Sequence, residues 1–304
     1  VKLVYFGTGS FALPALRALS PHISLVVTQP DRPSGRGMRL QPSPAKSAAM
    51  ELGIAVESPE KSRAPEFVER LLAEEADALV VASYGQILSQ KVLDSARSGG
   101  INLHGSILPK YRGAAPIQRA ILNGETETGI TLMQMDKGMD TGDVISIETL
   151  AIDSDETYGE LQDRLAELAA RMAADWMPRV VQGNYSRIPQ DHEAATMAPK
   201  IEKSECELST TRQARQEYDR FRAFTPAPGA FMATKFGLLK VSQARLGTET
   251  GAEGVVLSTG SSCQVAFRDG SIHLLEVQPE GKKRMSGRDF ANGMRLKTGS
   301  SLFE

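Results

Sequence analysis

An asparagine and a histidine two residues apart, Asn102 and His104, are followed by an aspartate 36 positions after the histidine, Asp140, in a glycine-rich turn. The local text is Ile101-Asn102-Leu103-His104-Gly105-Ser106-Ile107-Leu108-Pro109, then Met135-Asp136-Lys137-Gly138-Met139-Asp140-Thr141-Gly142-Asp143. Side chains alternate along a strand. A strand over 100–104 therefore puts Asn102 and His104 on one face and Leu103 on the other. An amide donor and a titratable imidazole then sit together where the strand ends, at the edge where open α/β sheets bind ligands. A hairpin turn carrying Asp140 can swing over the same edge. The three fit acid/base chemistry beside an oxyanion donor, with no metal and no covalent nucleophile. No second histidine or cysteine has ligand spacing, and no serine sits in a nucleophile elbow. Taken singly, His104 reads better as a satisfied core histidine, and Asp140 equally well as an Asx-turn residue.

The elements that must position these residues are legible as periodicity. Strand-like runs at Lys2–Phe6, Ile23–Thr28, Ala78–Ala82 and Gly100–His104 alternate with helical runs near 10–19, 44–52, 64–75 and 90–97. That alternation predicts a mostly parallel, Rossmann-like sheet with crossover helices. Two alternating runs, 129–135 and 144–149, predict an antiparallel hairpin appended to it. Thr157 and Glu160 form a capping-box pattern. Behind it, Leu161, Leu165, Leu168, Met172 and Trp176 share one helical face, which assigns the lone tryptophan to a core. Residues 187–208 lose apolar periodicity. A helical run over 209–222 and five short strand-like runs between 229 and 277 then predict a small OB-like barrel. The expected domains are 1–187, a linker 188–208, and 209–304.

Two further segments carry chemistry. Gly7-Thr8-Gly9-Ser10-Phe11-Ala12 fits a dinucleotide fingerprint, with Asp31 in the acidic position. Asp31 lies in a loop rather than closing a strand, so the signal is weak and no NAD is expected. Residues 29–44 form an insert longer than ordinary strand-to-helix loops. It carries Arg32, Arg36 and Arg39, and reads as a basic finger for phosphates more readily than as a solvated loop.

Composition narrows the classes. The 304 residues carry a net charge of −2, which hides an asymmetry. From Ser209 onward 14 Lys and Arg face 9 Asp and Glu, a balance of +5, so the remainder stands at −7. A basic tail on an acidic body suits a polyanionic partner, and chance variation in surface charge explains the signal equally well. Within that tail Lys282, Lys283, Arg284 and Arg288 cluster in one short stretch. Two cysteines without disulfide or metal spacing predict a reducing compartment, the cytoplasm. No secretion signal is read at the start, and no apolar run approaches the roughly 20 residues of a membrane span.

The run Asn102 to Gln118, with Asp136-Lys137-Gly138-Met139-Asp140-Thr141-Gly142, resembles the formyltransferases that use 10-formyltetrahydrofolate. The 29–44 insert and the basic C-terminal part narrow the resemblance to the methionyl-tRNA formyltransferases, along essentially the whole chain. The resemblance implies formyl transfer from 10-formyltetrahydrofolate to the amino group of methionine on initiator tRNA. It implies Asn102, His104 and Asp140 as the catalytic trio. It implies Ser106, Ile107, Leu108 and Pro109 lining the folate site, with 82–88, notably Tyr84, Gly85 and Leu88, facing the pterin. Arg36 matches the family arginine used on the tRNA acceptor stem. Arg39, Lys282, Lys283 and Arg284 are the further expected tRNA contacts, in a protein acting as a monomer without metal or membrane. Ile107 stands where the family commonly has leucine, and Met38-Arg39 where some members have two lysines. A formyltransferase or hydrolase for a small amine or water is the nearest alternative. A nicotinamide-dependent oxidoreductase would rest on Gly7–Ala12 alone, and a non-catalytic nucleic-acid binder would leave the trio idle.

Overall fold

The computed structural model describes residues 1–34 and 39–303. They divide into two compact units. The first comprises 1–116, 127–150 and 162–199, and the second comprises 117–126, 151–161 and 200–304. In chain order the first elements are β1 (Leu3–Gly7), α1 (Leu13–Leu19), β2 (Ile23–Val27), β3 (Arg32–Ser34), β4 (Arg39–Gln41), α2 (Pro44–Glu51) and β5 (Ala55–Glu57). Next come α3 (Pro65–Leu72), β6 (Ala78–Ala82), α4 (Gln90–Leu93), β7 (Gly100–His104), α5 (Pro116–Leu122), β8 (Glu127–Gln134), β9 (Val144–Ala151) and α6 (Tyr158–Val181).

Seven strands form one sheet in the order β5-β2-β1-β6-β7-β8-β9. The first five in that order run parallel, and β8 runs antiparallel to β7. The parallel strands are apolar on both faces, as burial under crossover helices demands; β1, β6 and β7 are buried at every position. Strand order reverses around β1, whose neighbours are β2 and β6, so the carboxyl ends of β1, β6 and β7 border the crevice such sheets use for ligands. Register sets Val81 of β6 beside Asn102, and Thr131 of β8 beside His104.

The second unit contains α7 (Ala214–Ala223), β10 (Ala230–Thr234), β11 (Gly237–Gly247), β12 (Val256–Ser258), β13 (Cys263–Phe267), β14 (Gly270–Pro279), β15 (Met285–Ser286) and α8 (Gly287–Gly293). Its strands form an antiparallel sheet in the order β10-β11-β14-β13-β12, with β15 on β14. Bulges in β11 at 241–244 bend the longest ladder. Phe221, Met232, Val265, Phe267, Leu274 and Phe290 fill the core.

Several expectations need correction. The long insert carries strand pairing that periodicity does not announce: Arg32 pairs with Gln41 and Ser34 with Arg39 in an antiparallel ladder. Its arms are three residues each, too short for a period-two pattern to register. The helix expected near 90–97 closes after four residues, and the C-terminal helix starts at Ala214 rather than 209. Strand β5 and helix α5 were not read. Leu161, Leu165, Leu168 and Met172 are buried, whereas Trp176 is half-buried with the Arg179 guanidinium 5.0 Å from its ring centre. Among the described residues no helix is long and apolar enough to cross a membrane.

Candidate active site

The carboxyl end of β7 carries Asn102 and His104, both buried, on one face of the strand. Asp140 lies in the turn between β8 and β9. Its Oδ1 accepts from Asn102 Nδ2 at 3.4 Å, and its Oδ2 lies 3.7 Å from His104 Nδ1. The same Oδ2 accepts the backbone N–H of Gly113 at 2.8 Å. Asn102, 38 positions away in sequence, and His104 thus converge on the Asp140 carboxylate.

The tautomer of His104 follows from its partners. Nε2 lies 2.9 Å from the carbonyl oxygen of Tyr111, which can only accept. Nε2 therefore carries the hydrogen, and Nδ1 is the nitrogen left to gain or release a proton. At 3.7 Å, Nδ1 is beyond hydrogen-bond length from Asp140, close enough for charge pairing and loose enough for a reacting group to intervene. Asn102 contributes a neutral amide beside it.

The loop after β7 is built around Thr131. Its hydroxyl donates to the Ser106 carbonyl at 2.6 Å and accepts from the Leu108 N–H at 3.1 Å. Ser106 and Leu108 are buried, and the Ser106 hydroxyl donates to the Lys110 carbonyl at 2.7 Å. These two residues shape the loop, while Ile107 and Pro109 keep partly open faces.

The turn after β6 alternates in the same way. Ser83, Gly85 and Ile87 are exposed, Ile87 to 74%, while Tyr84 and Leu88 are turned into the core. Tyr84 packs edge-on against Phe6 at 5.1 Å, and burial pushes its phenol up to about 12. Its carbonyl accepts from Thr8 Oγ1 at 2.8 Å and from Gln29 Nε2 at 3.3 Å, tying the turn to the end of β1. Gly85 has φ +91, a left-handed setting that admits glycine without strain. The Asp31 of the dinucleotide-like pattern pairs with Lys46 at 2.7 Å.

Of the basic residues, Arg36 lies outside the described residues, and Arg39 contributes its backbone to β4. Lys282, Lys283 and Arg284 are exposed between β14 and β15 in the second unit. Arg284 pairs with Glu276 at 3.4 Å.

Sequence reasoning missed the residues that hold Asp140 in place. Gln190, within the stretch read as linker, donates from Nε2 to the carbonyls of Asp140 at 2.9 Å and Gly142 at 2.7 Å. Its Oε1 accepts from Arg112 Nε at 3.1 Å and Nη2 at 2.7 Å. No local pattern announces a contact across 78 positions.

Residues 1–181 match the formyl transferase family and residues 200–295 match its C-terminal domain. Similar curated proteins include the methionyl-tRNA formyltransferases of Myxococcus xanthus and Neisseria meningitidis, each 42% identical to this chain. The alignments cover 99% of this chain, with 98% of the Myxococcus protein and 100% of the Neisseria protein. Among solved structures, an N-formyltransferase from Helicobacter canadensis, in complex with folinic acid and dTDP-3-aminofucose, superposes with TM-score 0.67 at 18% identity, over 90% of this chain and 98% of its own. HypX from Aquifex aeolicus, in complex with tetrahydrofolic acid, superposes with TM-score 0.66 at 14% identity, over 95% of this chain and 46% of its own. At those identities the likeness is one of fold. Matches along both parts of the chain and full-length identity above 40% have one consequence: the chain belongs to the formyl transferase family, among its methionyl-tRNA formyltransferases.

Proposed function

We propose that this chain transfers the formyl group of 10-formyltetrahydrofolate to the α-amino group of methionine on initiator tRNA, in the cytoplasm. The observation that carries the reading is the convergence of Asn102 and His104 on the Asp140 carboxylate at the carboxyl end of β7.

The residues present fit a flat heterocyclic cosubstrate. Gly85 and Ile87 leave an open apolar surface and accessible backbone in the turn after β6, and Ile107 and Pro109, in the loop after β7, add half-buried faces. When bound, the folate supplies an activated formyl group. Transfer builds negative charge on the formyl oxygen and strips a proton from the attacking amine. Asn102 donates its amide to that oxygen, an effect worth about 10² to 10³ in rate for one such donor. His104 takes the proton at Nδ1, since Nε2–H is held by Tyr111, and would return it to the folate nitrogen that leaves as its bond to the formyl carbon breaks. Asp140 compensates the resulting imidazolium and fixes the ring. Its own charge is steadied by the Gly113 N–H.

Residues 1–187 act as the catalytic domain and 209–304 as a tRNA-binding domain joined through 188–208. Arg36 and Arg39 meet the acceptor end, and Lys282, Lys283 and Arg284 meet phosphates elsewhere. The test is an assay of methionine-charged initiator tRNA with and without 10-formyltetrahydrofolate. The expected result is formyl-methionine on the tRNA only when both substrates are present. Formylation of a small amine, or hydrolysis of the folate at the same rate without tRNA, would overturn the reading.

A further inference from the structure

We infer that Gln190 is the positioning residue for Asp140, acting through two loop carbonyls and through Arg112. The inference rests on the reading of Asp140 as part of the catalytic trio. Asp140 has φ +54, a left-handed conformation that L side chains rarely adopt. Such a conformation persists where its surroundings over-determine it. The turn's own side-chain bonds straddle Asp140 without touching its peptide groups: Asp136 Oδ1 accepts from Gly138 N at 2.9 Å and from Thr141 Oγ1 at 2.7 Å. Gln190 supplies the clamp from outside. Its Nε2 bridges the carbonyls of residues 140 and 142, so the peptide units on the carboxyl side of Asp140 cannot rotate independently.

The other end of the same amide faces Arg112, which is 6% exposed. Arg112 precedes Gly113, whose N–H binds the Asp140 carboxylate, and follows Tyr111, whose carbonyl binds His104. Its backbone is pinned on both sides, N–H to Thr196 O at 2.8 Å and carbonyl from Ala198 N–H at 2.6 Å. The guanidinium also donates to His192 Nδ1 at 3.0 Å. Gln190 therefore couples the two loops that grip the trio. Only an amide satisfies both ends. Its NH₂ must face two carbonyls and its oxygen must face a guanidinium. The side chain is 7% exposed, so water does not substitute for a lost partner.

This arrangement names its own probe. Gln190→Glu keeps the volume and keeps an acceptor for Arg112, but sets a second oxygen against the carbonyls of 140 and 142. The measurement is steady-state formylation of initiator methionyl-tRNA by Gln190→Glu, Asp140→Ala and the double variant, with each substrate varied and folding monitored by circular dichroism and Tm. For Gln190→Glu the expected result is a kcat loss of about 10- to 100-fold from a displaced acid/base group, with both KM values within about threefold. In the Asp140→Ala background the second substitution should cost less than about twofold, because there is no longer a carboxylate to place. A merely structural glutamine would give losses that multiply. Gln190→Met, uncharged and of similar length, replaces Gln190→Glu where the charged variant does not fold, with the same expectations. Wild-type kcat in a folded Gln190 variant, or multiplicative losses in the cycle, would overturn the inference while leaving the catalytic reading intact. An Asp140→Ala enzyme with wild-type turnover would remove the catalytic reading and the inference together.

Discussion

His104 uses its two ring nitrogens unequally: Nε2 is spent on the Tyr111 carbonyl, and Nδ1 faces Asp140 at 3.7 Å. A residue arranged in this way moves protons and contributes little to holding the folate. His104→Ala and Asp140→Ala should each lower kcat by about 10² to 10⁴, the range for a positioned acid/base group. The KM for 10-formyltetrahydrofolate should stay within a few-fold, read from steady-state kinetics with each substrate varied. Turnover near wild type in Asp140→Ala would reduce Asp140 to a turn residue. The cysteines sit at the opposite extreme of reactivity. Burial pushes the Cys263 thiol up to about 12, and burial aided by the charge of Glu205 raises Cys206. The thiolate is the reactive form, so a raised pKa leaves little of it at neutral pH. A thiol reagent should therefore label neither cysteine in the native protein over the time in which a denatured sample yields two thiols. Fast labelling of one thiol in the folded enzyme would contradict the burial.

Among elements, the shared face of Asn102 and His104 on β7 was legible because they flank Leu103 at the strand period, and β6 and β7 fall where the apolar runs lie. Short elements escaped: β5 and the arms of the β3–β4 ladder have three residues each. Helix α5 was missed although Ile117, Ala120 and Ile121 share a buried face, because seven residues opened by a proline look like loop. Gln190 was invisible for a different reason. Its partners lie about 50 and 78 positions away, and a polar residue in a polar stretch carries no periodic signal. The Thr157 cap was legible and makes a pH prediction. The Thr157 N–H and hydroxyl both donate to Glu160 Oε2, at 2.8 and 2.7 Å, and the backbone bond foremost holds the Glu160 carboxyl below its usual range. A depressed folded pKa means stability that is full above the unfolded value, roughly 4.3, and lost as pH falls through the folded one. Glu160→Gln should thus lower Tm slightly at neutral pH, a cap effect of at most about 1 kcal/mol at this exposed position, and leave it unchanged in acid. Equal Tm differences at both pH values would show that the carboxylate charge is irrelevant to the cap.

For the whole molecule, the charge asymmetry is real in sequence but its meaning depends on where the charges stand. Four of the basic residues after Ser209 are spent on α7 and its flank: Arg212 and Arg220 pair with Glu217, and Arg215 and Arg222 pair with Asp219. Arg222 is 1% exposed and also donates to the Glu156 carbonyl at 3.0 Å, while Tyr218 donates to Asp155 at 2.9 Å. The second unit thus draws on 151–161, a segment that composition alone assigns elsewhere. A fragment beginning at 209 would keep the Arg222–Asp219 pair but strip Arg222 of its carbonyl partners at 153 and 156, so the basic surface is best tested in the full chain. There, Lys282 and Lys283 stand exposed in the turn after β14. If they neutralise tRNA phosphates, each contact releases condensed counterions, and log affinity falls linearly with log salt. The Lys282→Glu, Lys283→Glu double variant should bind initiator tRNA more weakly at low salt and flatten that slope by roughly one to two counterions. The trio lies in the other unit, so kcat at saturating tRNA should be unchanged and the loss should appear in KM for tRNA. Binding measured across a salt series for both proteins decides it. Parallel lines of equal slope would mean that this cluster never meets the phosphates, and would leave the tRNA contact to the arginines of the 29–44 insert.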